Sequence, residues 1–119
     1  MELEGRVLDK PGTIDRAIEQ LTEMTGRSHR IATAVAVWDE GRLSTHVDLT
    51  TLTMRTLELS AIKRYVEADS PLDCAGSYKL ESRGVTLFER IETADYTAII
   101  GLPLMALTTM LRAIGYIIP

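Results

Sequence analysis

The chain has 119 residues, 45% hydrophobic and 25% charged, with 17 acidic against 13 basic side chains and a net charge of −4. That is the composition of one globular domain with room for a core, and it excludes a disordered tail. The acidic balance speaks against a nucleic-acid groove, which needs a basic stripe, and no apolar run reaches the roughly 18 residues that a membrane crossing takes. The opening Met1-Glu2-Leu3-Glu4 lacks the basic and apolar regions of a secretion signal, and a lone cysteine, Cys74, cannot close an internal disulfide. Both features fit a reducing cytoplasm.

Residues 1 to 12 end in Asp9-Lys10-Pro11-Gly12, a turn ahead of a helix. Ile14, Ala17, Ile18, Leu21 and Met24 recur at helical spacing. Thr13 stands at the N-cap, Asp15 in the first turn and Gly26 at the stop, with Arg16, Glu19, Gln20 and Glu23 assigned to solvent. From Arg30 to Trp38 the run is apolar on both faces and predicts a central strand covered on two sides. Asp39-Glu40-Gly41 makes a hairpin turn into a long second strand. There Leu43, Val47 and Leu49 occupy odd positions but Leu52 and Met54 even ones, which predicts a bulge or bend near Thr50-Thr51.

Ile62, Tyr65 and Val66 predict a short helix ended by Asp69-Ser70-Pro71. A polar, glycine-punctuated loop follows from Pro71 to Gly84. Val85, Leu87 and Ile91 then predict a strand, and Tyr96 to Ile100 a second one ending at Gly101. Pro103 opens a last helix through Leu104, Leu107, Leu111 and Ile114 to a stop at Gly115. The expected architecture is a single α/β domain over residues 1–119, with a mixed, partly antiparallel sheet and flanking helices.

The 71–84 loop holds the most suggestive chemistry. If it is extended, alternate residues point the same way, and Lys79 and Glu81 face one pocket. A carboxylate there holds a divalent cation or orients water, and an ammonium neutralises phosphate. The competing reading is a solvated surface pair. Lys10, held extended by Pro11, is either a phosphate ligand near the helix start or an ordinary surface lysine. Arg55 divides in the same way between function and solvation. His29 is expected as a structural hydrogen-bonding group, His46 as solvent-facing and Asp73 as the cap of its own turn. Cys74 has no activating partner and is expected to pack rather than react. No metal-spaced Cys/His cluster, glycine-rich phosphate loop or nucleophile elbow is present.

Taken together, Gly5-Arg6-Val7-Leu8-Asp9-Lys10-Pro11, Thr25-Gly26-Arg27-Ser28-His29, Thr50 to Arg55 and Pro71-Leu72-Asp73-Cys74-Ala75-Gly76 resemble the Maf family of nucleoside triphosphate pyrophosphatases. Leu87-Phe88-Glu89-Arg90-Ile91-Glu92 and Ile100-Gly101-Leu102-Pro103-Leu104 continue the match in family order. Asp73-Cys74-Ala75-Gly76 followed by Lys79-Leu80-Glu81 is similar to the branch acting on 7-methylguanosine triphosphate. The resemblance implies the C-terminal two-thirds of a Maf-like fold, and hydrolysis between the α and β phosphates to a monophosphate and pyrophosphate. It further implies Lys10, Lys79 and Glu81 at the substrate, His29, Arg55 and Asp73 in support, and Mg²⁺ or Mn²⁺ near Glu81.

The family's N-terminal Ser-x-Ser-Pro-Arg-Arg turn and Ala-Asp-Thr strand, whose aspartate is taken as the catalytic base, have no counterpart here. Asp9, adjacent to Lys10, is no substitute. Loss of a general base costs about two to four orders of magnitude. Slow or absent turnover is therefore the expectation, as is self-association through the sheet edge and apolar surface left bare. A non-catalytic nucleotide-binding or self-associating module is the alternative.

Overall fold

A computed structural model describes residues 1–119, which divide into two compact units. The first comprises Met1–Arg30 and Thr51–Glu92, the second Ile31–Thr50 and Thr93–Pro119. The strands are β1 (Glu2–Leu3), β2 (Arg6–Val7), β3 (Ser28–Asp39), β4 (Arg42–Met54) and β5 (Phe88–Glu92), in sheet order β2-β1-β3-β4-β5. β1 pairs antiparallel with β2 and β3, and β4 with β5. The α/β arrangement is as expected.

In the first unit, α1 (Ile14–Met24) begins where Thr13 was placed as its cap. Thr13 is extended, and its Oγ1 accepts from the Arg16 N–H at 3.3 Å. Ala17, Leu21 and Met24 form the buried stripe, while Ile14 stays half-exposed. α2 (Leu59–Asp69) turns Ile62, Tyr65 and Val66 inward and packs on α1. It ends because Ser70 adopts the left-handed conformation, φ 42°, and returns its N–H to the Val66 carbonyl. Leu52, Met54, Leu87 and Phe88 complete the core. Full burial of each large apolar side chain contributes about 1.5–3 kcal/mol relative to exposure.

In the second unit, the remaining lengths of β3 and β4 form a hairpin. Its turn needs left-handed backbone at Glu40 (φ 43°) and Gly41 (φ 84°), which glycine supplies without strain. Two helices follow, α3 (Tyr96–Ile100) and α4 (Leu104–Ala113).

Four expectations need correction. β3 is not covered on both faces: Val35 is buried, but Ala32, Ala34 and Ala36 are exposed and Trp38 is 69% exposed. β4 has no bulge at Thr50-Thr51. Its even positions from Asp48 to Met54 are all buried, because Asp48 and Thr50 take the inward places that the apolar pattern assigned to odd residues. The ladder irregularity falls instead between Thr53 and Met54, opposite Arg90 and Phe88. Val85 lies in a 3₁₀ turn, Arg83–Leu87, and β5 starts only at Phe88. Tyr96–Ile100 is a helix rather than a strand. Asp95 caps it, accepting from the Thr97 N–H at 2.9 Å and the Thr97 hydroxyl at 2.5 Å, and Gly101 closes it. A local cap thus overrides the β propensity of that run.

Candidate functional site

The segment around Lys10 and the 71–84 loop are stitched together within the first unit. The Gly12 N–H donates to the Leu72 carbonyl at 2.9 Å. Gln20 on α1 spans the same gap: its Nε2 donates to the Asp9 carbonyl at 3.1 Å, and its Oε1 accepts from the Ser77 hydroxyl at 2.5 Å. Gln20 is therefore half-buried and engaged, not a solvent-facing residue as its helical position suggested. Lys10 itself is exposed between these tethers.

The loop is not extended. It contains a 3₁₀ turn at Ala75–Ser77, and the Lys79 carbonyl accepts from the N–H groups of Ser82 at 3.2 Å and Gly84 at 2.9 Å. The alternation that was to aim Lys79 and Glu81 at one pocket does not apply to such a turn. Lys79 Nζ lies 3.6 Å from Asp73 Oδ1, while Glu81, two residues further on, is exposed. Burial foremost, then Asp73 as acceptor, raises the Cys74 pKa, so the thiol stays protonated and is a poor nucleophile. The Asp73 carboxyl is held below its ordinary range by its own backbone N–H first, then by Cys74 and Lys79. The Asp73 carboxylate accepts from the Cys74 thiol at 3.5 Å and lies beside the Lys79 ammonium.

His29 is 1% exposed, and its Nε2 lies 2.9 Å from the hydroxyl of Tyr78, the residue before Lys79. Tyr78 and Phe88 pack edge-on against each other, with 4.8 Å between ring centroids, and both lie against the imidazole. Burial pushes the His29 pKa down to about 4, so the ring is neutral near pH 7. Arg55 is exposed, and its Nε donates to the Thr86 carbonyl at 3.3 Å, bracing the 3₁₀ turn beyond Gly84. In the second unit His46 is partly exposed, with Nε2 3.8 Å from Asp48 Oδ2.

Two contributors had no motif to mark them. Tyr65 is buried, and its hydroxyl accepts from the Lys79 N–H at 2.9 Å. Asp69 accepts from the Ser82 hydroxyl at 3.1 Å and from the Arg83 N–H at 3.0 Å. Their four-residue spacing on one helix face was the available signal.

A groove of about 230 Å³ on the α1 face is lined by Arg6, Asp9, Arg16, Glu19, Gln20 and Glu23 among others. Neither Lys10, Lys79 nor Glu81 lines it, and Arg6 is ion-paired to Glu23. Glu81 is exposed and enters none of the chain's ion pairs, which leaves its carboxylate free to meet a cation. A magnesium ion needs little more, since it is commonly bound through one or two carboxylates together with substrate phosphates and water.

Comparison with known proteins gives a consistent picture. The family model described as Maf-like protein matches residues 1–114. A 7-methyl-GTP pyrophosphatase of Bdellovibrio bacteriovorus is 45% identical over 112 residues, covering 94% of this chain and 59% of the relative. That of Xanthomonas axonopodis pv. citri is 45% identical over 118 residues, covering 99% of this chain and 62% of the relative. A third, from Syntrophotalea carbinolica, is 41% identical over 117 residues, covering 97% and 59%. The chain therefore spans about three-fifths of the length of these relatives.

Proposed function

The chain belongs to the Maf-like family, and from that premise we propose that it binds a nucleoside triphosphate of the 7-methyl-GTP kind and takes part in its cleavage to monophosphate and pyrophosphate. The observation that carries this reading is the Lys79–Glu81 turn. It presents a half-buried ammonium 3.6 Å from Asp73 and an exposed carboxylate, and the 7-methyl-GTP pyrophosphatases match the chain over a length that includes it. Lys79 and Lys10 would neutralise phosphate charge, and Glu81 would share the divalent cation. Mg²⁺ or Mn²⁺, when bound, would offset phosphate charge and lower the pKa of an attacking water.

In a second reading the chain is a module that binds nucleotide without hydrolysing it. Self-association belongs to the same proposal, since Trp38, Leu43, Val47 and Leu49 are each more than half exposed.

The test combines pyrophosphate release from 7-methyl-GTP with Mg²⁺ and calorimetric binding of the same nucleotide. Release that Lys79→Ala abolishes supports the enzyme. Binding that Lys79→Ala weakens, with no release, supports the module. Binding that ignores both Lys79→Ala and Glu81→Gln removes the site. Light scattering checks assembly, and a monomer at micromolar concentration would eliminate self-association.

A further inference from the structure

The main chain of Lys79 is gripped on both sides. Its N–H ends on the Tyr65 hydroxyl at 2.9 Å, and its carbonyl takes the Gly84 N–H at 2.9 Å and the Ser82 N–H at 3.2 Å. The approach at Gly84 is so close that a Cβ there would lie 2.3 Å from the Lys79 oxygen and 2.6 Å from its carbonyl carbon. Only glycine closes this turn. The far side of the turn is tied to Asp69, whose two oxygens separately accept from the Ser82 hydroxyl and the Arg83 N–H.

Tyr65 and Asp69 stand four residues apart on α2, so one helix face holds the Lys79–Gly84 turn at its start and near its end. The Tyr65 ring is buried, and burial raises the pKa of its hydroxyl, with the Asp69 carboxylate adding to the effect. The hydroxyl is therefore a neutral group fixed in place. A lysine head reaches its target only as accurately as its Cα is placed, and misplacement by about 1 Å can cost about 10²-fold in rate. Glu81 lies inside the same turn and shares the constraint.

We infer that Tyr65 and Asp69 are positioning residues for the nucleotide site: α2 uses them to clamp the Lys79–Gly84 turn and so to set where the Lys79 ammonium and Glu81 carboxylate meet phosphate and cation. The inference rests on the nucleotide-site reading above. Neither residue touches the substrate in this scheme; each acts through Lys79 and Glu81.

The experiment uses the full chain with Tyr65→Phe, which removes one oxygen and keeps the ring, and Asp69→Asn as a second variant. Amide hydrogen exchange reads the clamp without nucleotide. Losing one hydrogen bond of ordinary net strength should speed exchange at the Lys79 N–H about five- to tenfold, while Ile62 and Val66 stay as protected as before. Unchanged exchange at Lys79 would overturn the clamp. Calorimetry with 7-methyl-GTP and Mg²⁺ reads the positioning role through a double-mutant cycle. Tyr65→Phe should weaken binding about threefold to tenfold in the native chain, and should add nothing once Lys79→Ala and Glu81→Gln are both in place. Losses that simply add would mark Tyr65 as a general structural residue and overturn the inference. If Lys79→Ala itself leaves affinity unchanged, or the chain binds no nucleotide, the site reading fails and the inference falls with it, even where the exchange data uphold the clamp geometry. If Lys79→Ala weakens binding and Tyr65→Phe does not, only the inference is lost.

Discussion

The two units are held by different means. In the first, Leu21, Met24, Leu52, Met54, Ile62 and Val66 are all at most 1% exposed, and helices and strands meet through apolar contact. In the second, Val35, Ala98 and Pro103 are the buried apolar residues, while Leu43, Val47, Leu49, Ile100 and Met105 remain largely in solvent. Hydrogen bonds stand in for the missing core there. Asp95 binds Thr97 through one oxygen and the Met105 N–H through the other, the Thr33 hydroxyl donates to the Ala98 carbonyl, and Thr50 bonds Thr93. Such bonds are individually modest, about 0.5–1.5 kcal/mol net. The lesson is that the unit carrying the candidate site has the stiffer scaffold, and the loop inherits its order from α1 and α2.

The largest test of that contrast is truncation in each unit. Leu21→Ala should cost about 2–5 kcal/mol through lost burial and the cavity left behind. Leu43→Ala, at a side chain 61% exposed, should stay within about 0.5 kcal/mol. Denaturant midpoints compare them directly. Equal losses would show that a second copy or other partner covers the hairpin.

A pH titration of stability sharpens the comparison next, because the first unit buries a histidine. The folded His29 pKa is depressed from 6.5 to about 4, so its neutral form is favoured in the native state. Above the unfolded value the contribution is complete. As pH falls from 6.5 towards 4 the unfolded chain takes up a proton that the native chain refuses, and about 3 kcal/mol is lost. Below pH 4 both states are protonated and this contribution changes no further. Comparing His29→Gln with the native chain across that window isolates the effect; identical slopes would refute it.

The same contrast explains what the sequence made legible. α1 and α2 were readable because apolar spacing, caps and burial agree in the first unit. The second unit misleads wherever apolar residues face solvent: the Ile31–Trp38 run predicts a strand covered on both faces, and the two leucines and one valine at odd positions of β4 predict a change of parity. Buried Asp48 and Thr50 broke the rule that polar means exposed. At the candidate site, Lys10, Lys79 and Glu81 were named from chemistry and resemblance. Gln20, Tyr65 and Asp69 enter the sequence reading only as a solvent-facing residue, a helix-face residue and a helix end, because hydrogen bonds to groups distant in the chain leave no motif. The turn at Lys79–Gly84 was read as extended because its closing contact depends on the absent side chain of Gly84.

Replacing Asp95 tests the hydrogen-bonded unit. Asp95→Ala removes the acceptors for Thr97 and Met105 together and should cost about 2 kcal/mol, with loss of helical signal from Tyr96–Ile100. A cost near zero would mean that the second unit relies on burial after all.

The smaller of the two capping effects is expected at the matched cap in the first unit. Thr13→Ala removes one bond, at 3.3 Å, from a helix that Ala17, Leu21 and Met24 already anchor. A lost N-cap of this kind costs typically about 1 kcal/mol. Helix α1 should stay formed by circular dichroism while the denaturation midpoint shifts slightly. Asp95 and Thr13 perform the same capping chemistry, so any excess cost at Asp95 measures how far polar contacts replace a core. If Thr13→Ala unfolds α1, apolar anchoring of that helix is weaker than its burial implies, and the contrast between the units loses its basis.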